Sequence, residues 1–246
     1  MGERTQEPSL DTTSLPTHVV GSRLLVYDRV ASTNDVALEV GGNGTVVVAN
    51  VQNEGRGRHG RRWHSASGLG LWFSVVLEEE LDGLPFAAVL AARDGLRPWC
   101  DARVKWPNDL VVDGRKVCGV LVEQRQGRTV LGIGINVHHQ PEDFPEEVRG
   151  TAGSIEMFAK RPCNRAELLE AVLIHLDERV IVLRKGGSEV VWREWRDACN
   201  LEGCKIRHGN MEGTVSAMEP SGALVVATAQ GARTIAWGEI VEMNGA

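Results

Sequence analysis

Apolar residues recur along the chain in two rhythms, short β-branched runs bounded by Gly, Pro, Asn or Asp, and a three-to-four-residue spacing, and these mark strands and helices. LLVYD (Leu24 to Asp28) predicts a short strand; TVVVAN (Thr45 to Asn50) and LGLWFSVVL (Leu69 to Leu77) predict buried ones. Between the first two, Ser32 or Thr33 is a natural N-cap for a helix carrying Val36, Ala37 and Leu38, which GGNG ends. Read alone, Ser32, Thr33 and Asn34 are capping residues. Leu84 to Trp99 predicts a helix, with Phe86, Val89, Leu90 and Leu96 among alanines and a weak end at Gly95 and Pro98.

RVKWPNDLVVDGRKVCGVLVEQ (Arg103 to Gln124) predicts a strand, a break at Pro107, then a hairpin turning at Asp113-Gly114. RTVLGIGINVH (Arg128 to His138) is a long apolar strand interrupted by Gly132 and Gly134, and glycine inside a strand marks close approach of a ligand or another backbone. It lacks the third glycine and following helix of a dinucleotide fingerprint. His138 and His139 would point to opposite faces, which argues against a shared metal. After a Pro- and acid-rich connector, Leu168, Leu169, Val172, Leu173, Leu176, Val180 and Leu183 predict a scaffold helix over Arg165 to Lys185, and Val191, Trp192 and Trp195 a second over Ser188 to Ala198. From Cys204 the text changes to CKIRH, GTVSAM, ALVVAT and RTIAW, separated by turn residues, which suggests a small SH3-like β-barrel beyond a boundary near Leu201.

Between the two buried strands, GRGRHGRRW places Arg56, Arg58, Arg61 and Arg62 in a loop with three glycines, closing on Trp63. Glycine loops turn backbone N–H groups into anion nests, and arginine supplies fork-shaped donors for phosphate or carboxylate. A loop mounted between core strands is a pocket element rather than a disordered RNA-binding arm. A net charge of −6 weighs against a general nucleic-acid binder. Lys105, beside Trp106, Pro107, Asn108 and Asp109, and Lys116, just past the turn, add two cations. Five cysteines without a C-x-x-C pair read as reduced thiols, with neither a disulfide frame nor a zinc site. The 246 residues suit one catalytic-sized domain with a small appendage. The first twenty or so are polar and lack a signal-peptide pattern, and no apolar run approaches membrane-span length, so a cytoplasmic protein with a disordered tail over residues 1–20 is expected.

Gln52, Gly55-Arg56-Gly57-Arg58, Gly60-Arg61 and Trp63; Lys105-Trp106-Pro107-Asn108-Asp109; Arg115-Lys116, Gly119 and Leu121-Val122-Glu123; and Gly132, Gly134, Ile135 and Asn136 resemble, in order and spacing, the biotin protein ligases. Ser32-Thr33-Asn34 resembles that family's biotin-pocket motif. The resemblance runs from Leu24 to Val241. It implies an α+β fold: a mixed β-sheet flanked by helices, like the catalytic domain of class II aminoacyl-tRNA synthetases, over residues 21–200, with the SH3-like barrel over 201–246. The implied reaction joins biotin and ATP into biotinyl-AMP, then passes biotin to a lysine of a biotin carboxyl carrier domain. Lys116, Arg58 and Lys105 would be catalytic. Ser32, Thr33, Asn34, Gln52, Gly55, Arg56, Lys116 and Gly119 would hold biotin. Arg58, Arg61, Trp63, Lys105, Asn108 and Asn136 would hold the nucleotide, Trp63 by stacking and Asn136 through its amide. Asp109 would help Mg²⁺ through the phosphates or brace its loop.

The carriers implied are acyl-CoA carboxylases and pyruvate carboxylase. No residue stands out as a general base for transfer. With no room ahead of Leu24 for a DNA-reading domain, no specific DNA binding is expected. A monomer or weak homodimer is expected, with Val130 to Val137 as a sheet edge available for pairing. Glu54, beside the arginine loop, would weaken phosphate binding or pair with Arg56. A lipoate protein ligase shares fold and adenylation chemistry, but its apolar dithiolane would waste a polar edge. A nucleic-acid-binding module is the reading from another class.

Overall fold

The computed structural model describes residues 16–125 and 127–243, so residues 1–15 of the expected tail lie outside the described residues. The first sheet is built from β1 (Arg23–Val30), β2 (Thr45–Gln52), β3 (Gly70–Leu77), β4 (Arg103–Lys105), β5 (Asp109–Val112), β6 (Arg115–Arg125) and β7 (Arg128–Asn136), in the order β1-β2-β3-β7-β6-β5-β4. Only β1 and β2 run parallel, joined through α1 (Thr33–Val40). The others are antiparallel, and Asp113 and Gly114 turn β5 into β6 with φ of 47° and 75°, as a primed hairpin turn requires. β7 is an interior strand, hydrogen bonded to β3 along one side and β6 along the other. The expectation that Val130 to Val137 is a sheet edge is therefore wrong: its unbroken apolar run reflects burial on both faces.

Alternation along the strands divides the core. Val46, Val48, Leu71, Phe73 and Val75 pack toward α2 (Leu84–Leu96) and α4 (Arg165–Arg184), while Val47, Val76 and Val130 pack under Ala37 of α1. All seven apolar residues expected to form the core face of α4 are buried. Buried Asp177 on the same helix accepts the backbone N–H groups of His18, Val19 and Val20 at 2.8, 2.7 and 2.8 Å. Val20 is itself buried, so the anchored chain starts ahead of residue 21.

A short α3 (Glu146–Arg149) lies in the connector, and α5 (Ser188–Cys199) leads to a second sheet. That sheet holds β8 (Lys205–His208), β9 (Met211–Met218), β10 (Leu224–Thr228), β11 (Gly231–Ile235) and β12 (Val241–Glu242), all antiparallel, in the order β11-β10-β9-β8-β12. It shares the main core. Trp106 Nε1 donates to Gly222 O at 2.8 Å, Trp192 Nε1 to Glu219 O at 3.0 Å, and Phe86 stacks on Trp195.

Candidate active site

Cross-strand partners form the floor of the site, Lys105 on β4, Asp109 on β5, Gly119 on β6 and Gly134 on β7, and the row runs on to buried Trp72 on β3. Side chains of such a row share a face, so the two central glycines leave a bare patch in it. The Trp63 ring occupies that patch. A Cβ on Gly134 would lie 2.7 Å from the ring, and one on Gly119 would lie 3.0 Å away. Gly132, one row along, makes room for Asn34, whose Oδ1 would lie 2.4 Å from an added Cβ. The interrupting glycines admit side chains from the first helix and the arginine loop.

Above this floor is a cavity of about 820 Å³. Its lining gathers Ser32, Thr33, Asn34, Gln52, Arg56, Arg58, Arg61, Trp63, Lys105, Asn108, Asp109, Lys116, Gly119 and Asn136; of the candidate site residues only Gly55 stands behind it. Gly55 packs so closely on Ser65 Oγ and Trp63 O that a Cβ would meet them at 2.9 and 2.8 Å.

One end is a network of neutral donors and acceptors. Gln52 Oε1 accepts from Thr33 N and Oγ1 at 2.8 and 3.1 Å, and its Nε2 donates to Ser65 Oγ at 2.9 Å. Buried Ser74 Oγ lies 2.6 Å from Asn34 Oδ1 and 2.7 Å from Thr33 Oγ1. Ser32 occupies the N-cap position, yet its side chain makes no capping bond. Capping alone thus does not account for the Ser-Thr-Asn triplet. Asn34 Nδ2 donates to Glu123 Oε2 at 2.6 Å, and Arg56 bridges Glu123, at 3.1 Å, to Asp35, gripped through both terminal nitrogens at 2.7 and 2.6 Å. Hydrogen bonds from Arg56 hold the Asp35 carboxyl below the usual range although burial opposes them. Glu54 is exposed, and the partners of Arg56 are Asp35 and Glu123, which corrects the expected Glu54–Arg56 pair.

The other end is cationic. Lys116 Nζ lies 2.7 Å from Asp109 Oδ1 and 5.1 Å from the Trp63 ring centroid. The backbone of Lys116 is fixed by Thr151 O and Gly153 N, and Asn136 Nδ2 donates to Lys116 O and Gly153 O at 3.3 and 2.9 Å. Both amide protons of Asn136 are thereby used, and Oδ1 is what it can offer a ligand. Asn108 Nδ2 donates to Val120 O at 2.6 Å. Burial holds the Arg58 guanidinium pKa below its ordinary value, with the Asp109 carboxylate opposing this only in part.

The arginine loop is a small hairpin rather than an open nest. Gly57 N donates to Arg61 O, Arg61 N to Arg58 O and Trp63 N to Gly55 O, so these donors are satisfied within it. Its tip reaches the C-terminal sheet: His59 packs on Trp237 with centroids 4.6 Å apart, and Arg61 pairs with Glu239. Gly238 and Glu239 line the cavity mouth. Among the described residues, no three His, Cys, Asp or Glu side chains are placed to hold a metal, and no helix is long and apolar enough to cross a membrane.

The Biotin/lipoate A/B protein ligase family profile matches residues 26–139. The bifunctional ligase/repressor BirA of Bacillus subtilis is 31% identical over 241 residues, covering 90% of this chain and 74% of that protein. The chain belongs to the biotin protein ligase family. A second family member, biotin–[acetyl-CoA-carboxylase] ligase of Mycobacterium tuberculosis, is 30% identical over 81% of each chain. Among solved structures, the Aquifex aeolicus biotin protein ligase in complex with biotin and ATP superposes with a TM-score of 0.77 at 28% identity, covering 91% of this chain and 100% of that one. The mixed sheet with flanking helices is this family's catalytic fold. Asp35, Ser65, Ser74 and Glu239 were given no role from the sequence, and Glu123 only membership of a motif. Asp35 and Glu123 carry no local signal as partners of Arg56, from which they stand 21 and 67 residues away in sequence.

Proposed function

We propose that the protein is an ATP-dependent biotin protein ligase, which makes biotinyl-5′-AMP and transfers biotin to a carrier lysine. The observation that carries this is one cavity with a neutral hydrogen-bonding end, a glycine floor and a cationic end. Biotin's ureido edge presents donors and acceptors together, which suits the Ser32, Thr33, Asn34 and Gln52 end, with Arg56 beside it in the lining and Gly55 behind it. Lipoate's dithiolane offers that end nothing.

In the first step a biotin carboxylate oxygen forms a bond to the α-phosphorus of ATP while the bond to pyrophosphate breaks. Two anions must meet, so fixed positive charge has to be waiting for them. Lys116 is assigned to the junction between carboxyl and phosphate, Arg58 to closure over it, and Lys105 and Arg61 to the phosphates. Trp63 shields the adenosine, Asn108 braces the site, and Asn136 Oδ1 accepts from the adenine amino group. Mg²⁺ suits a single carboxylate plus substrate phosphates; Asp109 with the triphosphate would provide that donor set, and the ion would neutralise phosphate charge. In the second step the carrier's lysine nitrogen, arriving neutral, bonds to the acyl carbon as the bond to AMP oxygen breaks. A mixed anhydride would hydrolyse in open water, so a loop that orders over it has a purpose.

We read residues 21–200 as the catalytic domain and 201–246 as an SH3-like unit. The acceptor is a biotin carboxyl carrier domain of an acyl-CoA carboxylase, with pyruvate carboxylase a second client. The ligase is read as a cytoplasmic monomer or weak homodimer. The test supplies ATP, Mg²⁺ and either biotin or lipoate and follows pyrophosphate release and carrier labelling, with Lys116→Ala in parallel. Biotin-dependent pyrophosphate and carrier labelling, both lost in the variant, are expected. Turnover with lipoate alone, or with neither acid, overturns the reading.

A further inference from the structure

Behind the aromatic wall of the cavity stands His139, 0% exposed. Its ring stacks on Phe144, 4.6 Å between centroids with the planes 9° apart, and meets Trp72 edge-on at 6.0 Å. Trp72 in turn meets Trp63 edge-on at 6.1 Å, and both Phe144 and Trp63 line the cavity. His139 thus lies between Phe144 and Trp72, the ring that backs Trp63. Its backbone is pinned as well: buried Ser154 donates to His139 O at 2.7 Å, and the preceding His138 N donates to Leu69 O.

Neither ring nitrogen of His139 makes a hydrogen bond of good geometry among the described residues. Leu69 O, which faces the ring, already accepts from the N–H groups of Val137 and His138. A buried imidazole with two unmet nitrogens is costly, and it is retained here in a stack where a flat ring of fixed thickness is what its neighbours use. Burial keeps it neutral.

We propose that His139 is a positioning residue for the nucleotide, its neutral ring setting the distance between the Phe144 and Trp63 walls that receive the planar base. This rests on the ligase reading. His139 touches no substrate; it acts through Phe144 and Trp72. A flat apolar ring should therefore replace it, and a methyl group should not.

The test measures ATP and biotin binding by calorimetry, KM and kcat for biotin-dependent pyrophosphate release, and near-UV circular dichroism of the tryptophans, in wild type, His139→Ala and His139→Phe. In His139→Ala, ATP affinity is expected to fall about tenfold, with KM for ATP rising alike, kcat and biotin affinity within about twofold of wild type, and an altered tryptophan spectrum. His139→Phe is expected to restore both ATP affinity and spectrum. Unchanged ATP affinity in a folded His139→Ala, equal losses for ATP and biotin, or His139→Phe as impaired as His139→Ala would each overturn the proposal. If His139→Ala does not fold, the phenylalanine variant decides alone, since wild-type ATP binding is required of it. Wild-type ATP binding without pyrophosphate release would reject the ligase reading yet leave the spacer measurable by affinity; no wild-type ATP binding would reject both.

Discussion

Glu123 holds two site residues with one carboxylate, accepting from Asn34 at 2.6 Å and from Arg56 at 3.2 and 3.1 Å. Hydrogen bonds to charged groups contribute about 1.5–3 kcal/mol, and losing an acceptor leaves half-buried donors unmet. Glu123→Ala is expected to cost about 2 kcal/mol in denaturant unfolding and to weaken biotin binding, because Asn34 is freed to turn. Glu123→Gln, which keeps an acceptor oxygen, should lose less on both counts; equal losses in the two variants would mean that charge alone matters. His139 makes a different prediction. Burial lowers its pKa from 6.5 to about 4, helped by His64 and His138 and opposed by Asp143 and the Leu69 carbonyl. Below pH 6.5 the unfolded chain takes up a proton that the folded ring refuses, so the stability of neutral His139 is complete above 6.5 and is lost as pH falls toward 4. The slope approaches one proton, about 1.4 kcal/mol per pH unit. Unfolding curves at pH 7 and 5 should converge in His139→Phe relative to wild type, and an identical acid loss in both proteins would exclude His139 as its source.

β7 shows at the level of an element how a strand can be read correctly and placed wrongly. Its extent, its glycines and Asn136 at its end were legible, because composition and spacing are local. Its position was not, since pairing with β3 and β6 joins segments far apart in sequence, although an apolar run without alternation already pointed to burial on both faces. The same limit hid what Gly132 and Gly134 accommodate: close approach was expected, but the partners, Asn34 and Trp63, come from distant elements. The Ser-Thr-Asn triplet was ambiguous for the opposite reason, its composition fitting a cap that Ser32 occupies without using its side chain. Gly134→Ala tests the bare patch. A methyl 2.7 Å from the Trp63 ring has to displace it, an overpacking cost of about 1–3 kcal/mol, and ATP affinity should fall at least tenfold. Gly150→Ala, where an added Cβ meets nothing within 4 Å, is the control expected to bind ATP as wild type does. Equal ATP affinity in the two variants would mean that Trp63 does not depend on the glycine floor.

For the molecule as a whole, the question is what the second sheet does for a site built on the first. Its attachment is firm: Trp106 and Trp192 each donate to its backbone, and Ile206, Val215 and Leu224 lie in the common core. Its contact with the arginine loop is of another kind. Arg61 and Glu239 remain 63% and 70% exposed, and a solvated ion pair of that sort contributes on the order of 0–1 kcal/mol. Trp237, 56% exposed, adds one ring face to His59. Contacts that weak restrain a loop without fixing it, which suits a segment that must admit ATP and release AMP. Their removal should therefore change local opening far more than global stability. Trp237→Ala combined with Glu239→Gln is expected to shift thermal unfolding by no more than about 4 °C, since ΔΔG near 1 kcal/mol in a chain of this size moves Tm by about 2–4 °C. The same variant should raise the initial rate of tryptic cleavage after Arg58, Arg61 or Arg62 several-fold, read by mass spectrometry of the first fragments. Unchanged cleavage at those arginines would show that the loop is ordered by its own hairpin bonds, Gly57 to Arg61 and Trp63 to Gly55, and that the second sheet merely lies beside it.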